Sequence, residues 1–340
     1  MGDGTKITGY AALEPGALLT PFYYDPPALK DNEVRIEISH CGLCGSDIQA
    51  IDDVYAVFDF PFVPGHEVVG HISEVGAQVP ENRIGERVGV GWQGRACGKC
   101  KWCLEGDEYL CIATAENGTW TPYGGLSSSV NVQQDFAYPL PDAMPSEAAA
   151  VMMCAGFTVY SALSRCFAFP SQRIGIVGIG GLGHLAIQFA KAMGYEVTAI
   201  SSSPGKQEEA LALGADKFLD ISDKTALAQA EFYFDSLLIT SHGGILWEEM
   251  LKMLTKKGTL ILAAFPQVDF IPVDFVTHEL SIVGTFLGKR EEMLAMLSFA
   301  TLHNIKPLIE LMKLSQVNVA IERLKHNQAR YRIVLENDIP

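Results

Sequence analysis

The sequence predicts an α/β protein with two domains, one mostly β and one built on a doubly wound parallel sheet. The chain has 340 residues, which is too long for one ordinary hydrophobic core and suits two. Residues 7–150 are rich in glycine, proline and short β-branched runs, whereas strand-like and helix-like runs alternate from about Phe157. Such alternation is typical of a parallel sheet covered by helices.

Each predicted element follows from the periodicity of its apolar residues. β-Branched runs bounded by turns indicate strands, and apolar residues three or four apart indicate helices. The strand-like runs are VRIEIS, VVGHISEVG, RVGV, RIGIV, EVTAIS, SLLIT and TLILAAF; the helix-like runs are LGHLAIQFAKAMG, KQEEALALGA and ILWEEMLKMLTKKG. The tail, residues 286–340, predicts helices over KREEMLAMLSFATLH and VNVAIERLKH and a closing strand, YRIVLE.

The charge balance of the chain disfavours several function classes. Asp and Glu number 40 against 25 Lys and Arg, a formal net charge of -15, which opposes binding to phosphate backbones or anionic lipid. The most apolar run, Ala148–Leu163, has about 16 residues, fewer than the roughly 20 of a membrane-spanning helix. The N-terminal MGDGTKITGY contains no apolar signal core. We therefore expect a cytoplasmic protein without nucleic-acid or membrane partners.

A glycine-rich turn joins the run RIGIV to the helix-like run that follows it. Gly178, Gly180, Gly181 and Gly183 form, with Leu182, the pattern GIGGLG. These glycines permit a tight turn and let a pyrophosphate approach N–H groups at the helix N-terminus. Because a strand and a helix flank the motif, we predict a dinucleotide site; the alternative is a purely structural strand–helix turn.

The residues after the next strand-like run indicate which dinucleotide binds. An NAD site has a carboxylate there, which accepts hydrogen bonds from the ribose 2′-hydroxyl. This chain has Ser201, Ser202, Ser203 and Lys206 instead. Hydroxyl donors and an ammonium group suit a 2′-phosphate, so we predict NADP(H); the alternative is an ordinary polar loop.

Four of the eight cysteines follow the pattern Cys97-x2-Cys100-x2-Cys103-x7-Cys111. Four thiolates on a short loop close a tetrahedron around Zn²⁺ and leave no open position, as in structural zinc sites. A ferredoxin-type iron–sulfur run would place its fourth cysteine three residues on and follow it with proline. The gap of seven residues and the following Ile112 favour structural zinc.

A second, dispersed group of residues predicts an open metal site. Its segments are Cys44-Gly-Ser46-Asp47, Gly65-His66-Glu67 and Cys154. Each segment alone is a weak signal, since a lone cysteine is usually a buried core thiol and a lone histidine usually has a structural partner. Two thiolates and one imidazole in a chain with a dinucleotide motif match a catalytic zinc site, which keeps one position open.

Together these motifs resemble the zinc-dependent medium-chain alcohol dehydrogenases, most of all the branch of cinnamyl alcohol dehydrogenases and bacterial broad-specificity aldehyde reductases. The matching segments, from about residue 30 onward, include CGLCGSD, VPGHEVVG, the four-cysteine loop, CAGFTVYSAL, VGIGGLGHLAIQFAKAMG and AISSSPGK. The resemblance implies a GroES-like, mostly β catalytic domain over 1–153 and 286–340 and a Rossmann NADP-binding domain over 154–285. It also implies two Zn²⁺ per chain and, usually, a homodimer.

The resemblance assigns roles to single residues by matched motif. Cys44, His66 and Cys154 would ligate the catalytic zinc, and Glu67 would occupy or leave the fourth position. Asp47 would orient His66 through its second ring nitrogen.

The same resemblance places other residues against the ligands. Ser46 would hydrogen-bond the substrate oxygen, Thr158 would lie against the nicotinamide, and Arg332 would reach the cofactor pyrophosphate. Cys41 is not a ligand in that pattern, so we assign it, with Cys166, to packing.

The chain departs from the branch in three places. Gly45 replaces a common histidine that contacts the pyrophosphate, and Gln49 replaces a common proton-relay histidine. The stretch from Cys111 to Gly124-Gly125 is shorter than usual. That loop helps to shape the substrate pocket. Phe58, Trp120 and Phe286 are candidate aromatic walls of this pocket, and the alternative is that they pack in the core.

The function that follows is zinc-dependent interconversion of primary alcohols and aldehydes by hydride transfer with NADP(H), with aldehyde reduction as the expected direction. One alternative is an NAD-dependent polyol dehydrogenase of the same superfamily, against which the three serines argue. Another is a zinc- and NADP-binding protein without catalysis. That reading requires a vestigial open zinc site, although Cys44, His66 and Cys154 are all present.

Overall fold

The chain divides into two compact units. The first contains residues 1–154, 288–301 and 307–340, and the second contains residues 155–287 and 302–306. The sequence predicts domain boundaries after residues 153 and 285. The structure places the corresponding divisions after residues 154 and 287. The structure, a computed structural model, describes residues 6–113, 118–121, 123–166, 172–269 and 272–339.

The described residues form fifteen strands, numbered along the chain. They are β1 (Ile7–Ala11), β2 (Thr20–Tyr24), β3 (Glu33–Leu43), β4 (Glu67–Val75), β5 (Arg87–Val90), β6 (Ser129–Gln133), β7 (Tyr138–Pro139), β8 (Arg173–Val177), β9 (Glu196–Ser201), β10 (Lys217–Asp220), β11 (Phe234–Ile239), β12 (Leu254–Leu262), β13 (Ser281–Gly284), β14 (Ile309–Lys313) and β15 (Arg332–Glu336).

The α-helices of the same residues are numbered in the same way, and a π-helical turn, Met152–Gly156, joins α3 to α4. They are α1 (Gly45–Ile51), α2 (Lys101–Leu104), α3 (Ser146–Val151), α4 (Phe157–Cys166), α5 (Gly183–Met193), α6 (Gln207–Ala212), α7 (Lys224–Gln229), α8 (Trp247–Met253), α9 (Val273–His278), α10 (Arg290–Leu302) and α11 (Val317–Lys325).

A seven-stranded sheet organises the first unit. Its order is β14–β15–β3–β4–β5–β7, and β6 also pairs with β3. Val34, Ile36 and Leu43 of the long strand β3 are fully buried, and burial of such side chains stabilises the fold by about 1.5–3 kcal/mol each. Near the end of β3, Gly42 pairs with Glu67 at the start of β4. This register brings the segment after β3 next to the segment before β4, and both segments carry predicted metal ligands.

A six-stranded sheet organises the second unit. All its strands are parallel, in the order β10–β9–β8–β11–β12–β13, which is the order of the dinucleotide-binding fold. Ile174 and Ile176 of β8 are fully buried, as expected of a strand covered on both faces. The predicted fold class is thus confirmed, and the strand order reverses beside β8, where the glycine-rich turn begins.

The run ILWEEMLKMLTKKG was predicted as one helix, and that prediction is wrong at its end. Helix α8 stops at Met253 and strand β12 starts at Leu254. Leu254 is fully buried and pairs with Phe234 of β11, so tertiary burial outweighs the local helical periodicity. Lys257, with φ of +64°, lies within this irregular first part of β12.

The apolar run that the sequence judged too short for a membrane span belongs to a longer helix. Residues 146–166 form a helical stretch of 21 residues that is long and apolar enough to cross a membrane by length and composition. However, 67% of its apolar window is buried inside the protein. A core helix of a globular protein has this character, so burial rather than length argues against a membrane span.

Candidate active site and metal centres

The first ligand segment is ordered by Asp47, which lies in the first turn of α1. Its Oδ2 accepts a hydrogen bond from the backbone N–H of Cys44 at 3.0 Å, which satisfies a donor that the helix N-terminus leaves without a partner. The sequence Cys-Gly-Ser-Asp therefore both starts the helix and fixes the backbone of the predicted ligand Cys44.

The second ligand segment meets the same carboxylate. Asp47 Oδ1 accepts hydrogen bonds from the backbone N–H of Gly65 and from His66 Nδ1, both at 2.9 Å. Gly65 has φ of +104°, a conformation that favours glycine. With Nδ1 held in this way, His66 Nε2 is free to act as a ligand and lies 3.3 Å from Cys154 Sγ.

The third ligand, Cys154, lies in the π-helical turn between α3 and α4. Turns of this kind occur frequently at functional sites. One ligand atom from each of Cys44, His66, Glu67 and Cys154 falls within 4.8 Å of the others. The structure thus brings together the whole predicted ligand set, and the donors, two thiols, an imidazole and a carboxylate, are those that zinc prefers.

Glu67 and Arg332 form a buried ion pair beside these ligands. Arg332 Nη2 donates to Glu67 Oε1, while Glu67 Oε2 has no hydrogen-bond partner although it is buried. An unpartnered buried carboxylate oxygen is costly, and a cation among the neighbouring ligands would satisfy it. Arg332, which the sequence assigned to the cofactor pyrophosphate, is placed in the first unit with its charge directed to Glu67.

The protonation of these groups is strongly coupled. The hydrogen bond from Cys154 holds the pKa of Cys44 well below its usual value, and His66 adds to this effect. The pKa of Cys154 is raised well above its usual value by that same hydrogen bond and by burial. The two sulfurs thus share a proton, and a metal that binds both of them displaces it.

His66 and Glu67 are shifted by burial and by their charged neighbours. Burial alone would lower the pKa of His66, but the Asp47 carboxylate raises it well above its usual value. Burial raises the pKa of Glu67 to about 7, against the opposing attraction of Arg332. Perturbed groups concentrated in this way are typical of functional sites.

Two further predicted residues of the first unit lie on α1. Ser46 Oγ is 3.7 Å from Cys44 Sγ, so its hydroxyl lies at the ligand cluster. Gln49, one turn later, accepts a hydrogen bond through Oε1 from the hydroxyl of the exposed Tyr55 at 3.2 Å. The predicted proton-path residue is therefore held near the protein surface.

The four-cysteine loop forms a second compact ligand cluster. The sulfur atoms of Cys97, Cys100, Cys103 and Cys111 lie within 4.8 Å of one another. Cys103 Sγ is 3.9 Å from Cys97 Sγ and 3.5 Å from Cys100 Sγ, and a tetrahedron with zinc–sulfur bonds of about 2.3 Å requires sulfur separations of about 3.8 Å. Backbone hydrogen bonds lower the pKa of Cys100 to about 6. The cluster fits a closed zinc site.

Three glycines of the glycine-rich turn in the second unit have different surroundings. A Cβ on Gly183 would lie 1.9 Å from the carbonyl oxygen of Gly178, so only glycine allows the helix to approach the strand this closely. Gly178 has φ of +93°. A Cβ on Gly180 would meet no atom within 4 Å, so the described protein atoms do not require glycine there. The open space beside Gly180 suits a pyrophosphate.

The serine loop after β9 is ordered around Ser201. Ser201 is buried, and its Oγ accepts a hydrogen bond from the backbone N–H of Ser203 at 3.1 Å. Ser202 and Ser203 are exposed. Lys206 Nζ donates to the carbonyl oxygen of Ile179 at 2.5 Å, which brings the ammonium group to the glycine-rich turn. The hydroxyls and the ammonium group that are predicted to bind a 2′-phosphate thus belong to one short segment, residues 201–206. Thr158 lies half-buried on α4.

The remaining predicted residues have mixed surroundings. Cys41 is buried in the core of the first unit, and Cys166 is half-buried. Phe58 packs edge to face against Trp120, with ring centroids 5.5 Å apart, and Phe286 is 38% exposed in the second unit. The sequence missed the hydrogen bond from Trp120 Nε1 to Asp47 Oδ1, because no local pattern connects residues 73 positions apart.

The known families match both parts of the chain. The family described as the alcohol dehydrogenase GroES-like domain matches residues 30–142. The family described as zinc-binding dehydrogenase matches residues 181–301. These matches confirm the GroES-like and Rossmann components of the predicted fold.

The chain also resembles curated proteins and solved structures over nearly its whole length. Aldehyde reductase AdhA from Synechocystis sp. is 38% identical to this chain, and the match covers 97% of this chain and 99% of the reductase. Probable cinnamyl alcohol dehydrogenase 8A from Oryza sativa subsp. japonica is 37% identical over 98% and 96%, respectively.

Two solved structures match 98% of this chain over 98% of the length of their own chains. A cinnamyl alcohol dehydrogenase from Sorghum bicolor has a TM-score of 0.90 and 34% identity, and a CAD from Helicobacter pylori complexed with NADP(H) has a TM-score of 0.87 and 29% identity. Domain matches, full-length relatives and the paired ligand clusters agree: the chain belongs to the zinc-binding alcohol dehydrogenases.

Proposed function

We propose that the protein interconverts primary alcohols and aldehydes by hydride transfer with NADP(H), chiefly as an aldehyde reductase. The observation that carries this proposal is the convergence of Cys44, His66 and Cys154, with the Ser46 hydroxyl beside them. A site with three such ligands and a neighbouring hydroxyl suits catalytic zinc, whereas a closed structural site would need no hydroxyl. The relatives named as aldehyde reductase and cinnamyl alcohol dehydrogenase support the substrate class.

The residues of the chain bind the metal, orient its ligands and transfer the proton. When bound, zinc acts as a Lewis acid on the substrate oxygen and NADPH supplies the hydride. Cys44, His66 and Cys154 hold the metal, and Asp47 fixes the His66 ring. During reduction Ser46 would pass a proton to the substrate oxygen and take up another, through the cofactor ribose, from water; oxidation would reverse both transfers. Glu67 stays paired with Arg332 and provides a carboxylate oxygen to the ligand cluster.

We infer NADP(H) rather than NAD(H) from the loop after β9. The described loop places Ser202 and Ser203 at the surface and Lys206 beside the glycine-rich turn. It has no carboxylate between Ser201 and Lys206 that would repel a 2′-phosphate. The solved CAD from Helicobacter pylori in complex with NADP(H) supports this choice.

We also propose a cytoplasmic homodimer. The spacing of the cysteines, which suits metal binding rather than a disulfide framework, supports a reducing compartment such as the cytoplasm. Size-exclusion chromatography with light scattering tests the assembly: a mass of twice 36.9 kDa supports the dimer, and a monomer contradicts it. Fractionation of cells that produce the chain tests the location.

The central experiment is a panel of aldehydes and polyols assayed with NADPH and NADH, compared by kcat/KM. We expect aromatic and allylic aldehydes with NADPH to give the highest values. Higher values for polyol oxidation with NAD would support the polyol dehydrogenase instead. Tight NADPH binding without turnover of any member of the panel would support the non-catalytic protein.

A further inference from the structure

We propose that Trp120 is a positioning residue that acts through Asp47 on the metal ligand His66. The inference rests on the proposed function only in taking His66 as a metal ligand. It concerns a contact that joins the loop after the four-cysteine segment to the catalytic ligands within the first unit.

The Asp47 carboxylate is the shared anchor of two ligand segments. Oδ2 accepts from the backbone N–H of Cys44, and Oδ1 accepts from the backbone N–H of Gly65 and from His66 Nδ1. Asp47 is completely buried. A buried carboxylate is stable as an anion only when hydrogen-bond donors surround it.

Trp120 supplies the fourth hydrogen-bond donor to the Asp47 carboxylate. Its indole Nε1–H donates to Asp47 Oδ1 at 3.1 Å, and the ring packs edge to face on the His66 ring, with centroids 4.9 Å apart at 82°. Trp120 is only 9% exposed. One side chain therefore donates to the carboxylate that orients His66 and also contacts the imidazole itself.

The indole is suited to this position because it can only donate. A donor on Asp47 Oδ1 stabilises the charged carboxylate, which in turn keeps the His66 proton on Nδ1 and leaves Nε2 as a ligand. A side chain at this position that could also accept a hydrogen bond would compete with Asp47 for the N–H of His66 Nδ1. Trp120 thus fixes the position of Asp47 without taking part in proton exchange.

Trp120 is itself held from several sides. The backbone N–H of Thr119 donates to the carbonyl oxygen of Trp92 at 2.7 Å, and Thr119 Oγ1 donates to that of Gly91 at 2.5 Å. Arg95 Nη1 donates to the carbonyl oxygen of Thr121 at 2.5 Å. Phe58 and Phe62 contact the indole ring at 5.5 and 6.1 Å between centroids. A residue anchored in this way can orient its neighbour.

The test compares Trp120→Phe with Trp92→Phe. Both variants lose one indole N–H and keep a ring in the same aromatic cluster, but the indole that donates to Asp47 in the described part of the chain is that of Trp120. The affinity of the His66 site for its metal is measured by competition between the holoenzyme and chelators of graded strength. In a parallel sample, Co²⁺ replaces Zn²⁺ so that the site has an absorption spectrum. We expect Trp120→Phe to raise the apparent Kd about tenfold, the lower end of the effect of groups behind metal ligands.

In the same experiment Trp92→Phe is expected to leave that Kd unchanged, and neither variant should alter metal retention by the four cysteines. An unaltered Kd and Co²⁺ spectrum in a folded Trp120→Phe variant overturns the inference. Equal losses in the two variants also overturn it, because they indicate a general packing effect. A wild-type protein that binds no metal at His66 contradicts the proposed function instead.

A second measurement tests the hydrogen bond in the wild-type protein itself. The chain has four tryptophans, so protein labelled with ¹⁵N at the indole nitrogen gives a simple spectrum, and Trp120→Phe identifies one signal. We expect the Trp120 indole proton to resonate downfield and to exchange with water more slowly than that of Trp102, which lies half-exposed under Lys101. Fast exchange of the Trp120 proton would exclude the hydrogen bond to Asp47.

Discussion

Ser46 and Gln49 lie one helical turn apart on α1 and have different surroundings. The Ser46 hydroxyl is at the ligand cluster, whereas the Gln49 amide is held by the exposed Tyr55. An amide neither gains nor loses a proton near neutral pH. We therefore propose that the proton path runs from Ser46 through the cofactor ribose to water, and that Gln49 only positions that water.

We predict that Ser46→Ala lowers kcat about 100-fold or more, the scale of general acid–base assistance, while Gln49→Ala lowers it much less because water fills the space. Steady-state kinetics on one aldehyde substrate measures both. Gln49→His is the complementary variant, and it should add an ionisation near the ordinary histidine pKa of about 6.5 to the kcat–pH profile. If the two alanine variants lost activity equally, Gln49 would be an obligatory member of the path.

We propose that Ser201 governs the choice between NADPH and NADH, and that it does so at the same Oγ atom that orders its loop. Its Oγ accepts the Ser203 N–H, and an aspartate can accept that bond while adding a negative charge. We predict that NADPH has a kcat/KM at least about tenfold above NADH, roughly 1.4 kcal/mol, and that Ser201→Asp reverses the order. The matched control, Ser201→Asn, keeps the bond without the charge and should retain the preference for NADPH. Equal use of both cofactors by the unmodified protein would disprove the assignment.

At the scale of residues, the sequence could predict the ligand sets because their spacing is local or follows known motifs. It could not predict that Arg332 and Trp120 converge on Glu67 and Asp47, since these contacts join positions 265 and 73 residues apart. Such contacts depend on how strands and loops pack. No periodicity in one chain records them.

At the scale of elements, the glycine-rich turn contains two glycines whose surroundings differ. A Cβ on Gly183 meets the backbone of Gly178, whereas a Cβ on Gly180 meets open space. Gly183 therefore serves the contact between strand and helix, and we propose that Gly180 leaves room for the cofactor pyrophosphate.

We predict that Gly183→Ala destabilises the second unit, because the backbone of the turn must shift to relieve the contact. Gly180→Ala should keep the wild-type melting temperature but weaken NADPH binding at least about tenfold, since its methyl group occupies the pyrophosphate space. Thermal unfolding and fluorescence titration with NADPH separate the two effects. Gly284→Ala, where a Cβ also meets open space, is the control. Unchanged NADPH affinity in Gly180→Ala would mean that the cofactor does not approach this turn.

The same scale shows where the prediction of elements succeeds and fails. The run RIGIV forms a buried strand because apolar β-branched side chains suit a sheet covered on both faces. The run LTKKG follows a helical pattern but begins β12, because pairing between Leu254 and Phe234 buries both residues. The π-helical turn at Cys154 also has no signature in the sequence. Packing decides these boundaries, and propensity is the weaker influence.

At the scale of the whole molecule, two complete ligand clusters predict two zinc ions per chain. The four-cysteine site has no open position, so mild chelation should remove zinc from the Cys44–His66–Cys154 site first. Metal analysis during stepwise dialysis against a chelator measures this order. Iron in the purified protein, or full activity with one zinc, would contradict it.

We further predict that Cys100→Ser lowers the melting temperature, because three thiolates cannot close the zinc tetrahedron and the metal contributes folding free energy to its loop. The matched control is Cys166→Ser, which changes a half-buried cysteine outside both ligand clusters. Calorimetry and zinc content report the result. A Cys100→Ser variant with full zinc and unchanged melting temperature would exclude the four-cysteine assignment.

The place of β15 in the first sheet has a consequence for synthesis of the chain. β15 lies between β14 and β3 in the sheet, and its residue Ile333 pairs with Leu43 of β3. Because Ile333 is far along the chain from Leu43, this end of β3 is synthesised long before its partner strand. At roughly 5–20 residues per second, about 15–60 seconds pass before that strand leaves the ribosome. The growing chain thus carries an unpaired, aggregation-prone strand edge throughout synthesis of the second unit. Chaperone cover of this edge matters during translation, whereas a full-length chain refolding from denaturant has β15 available from the start.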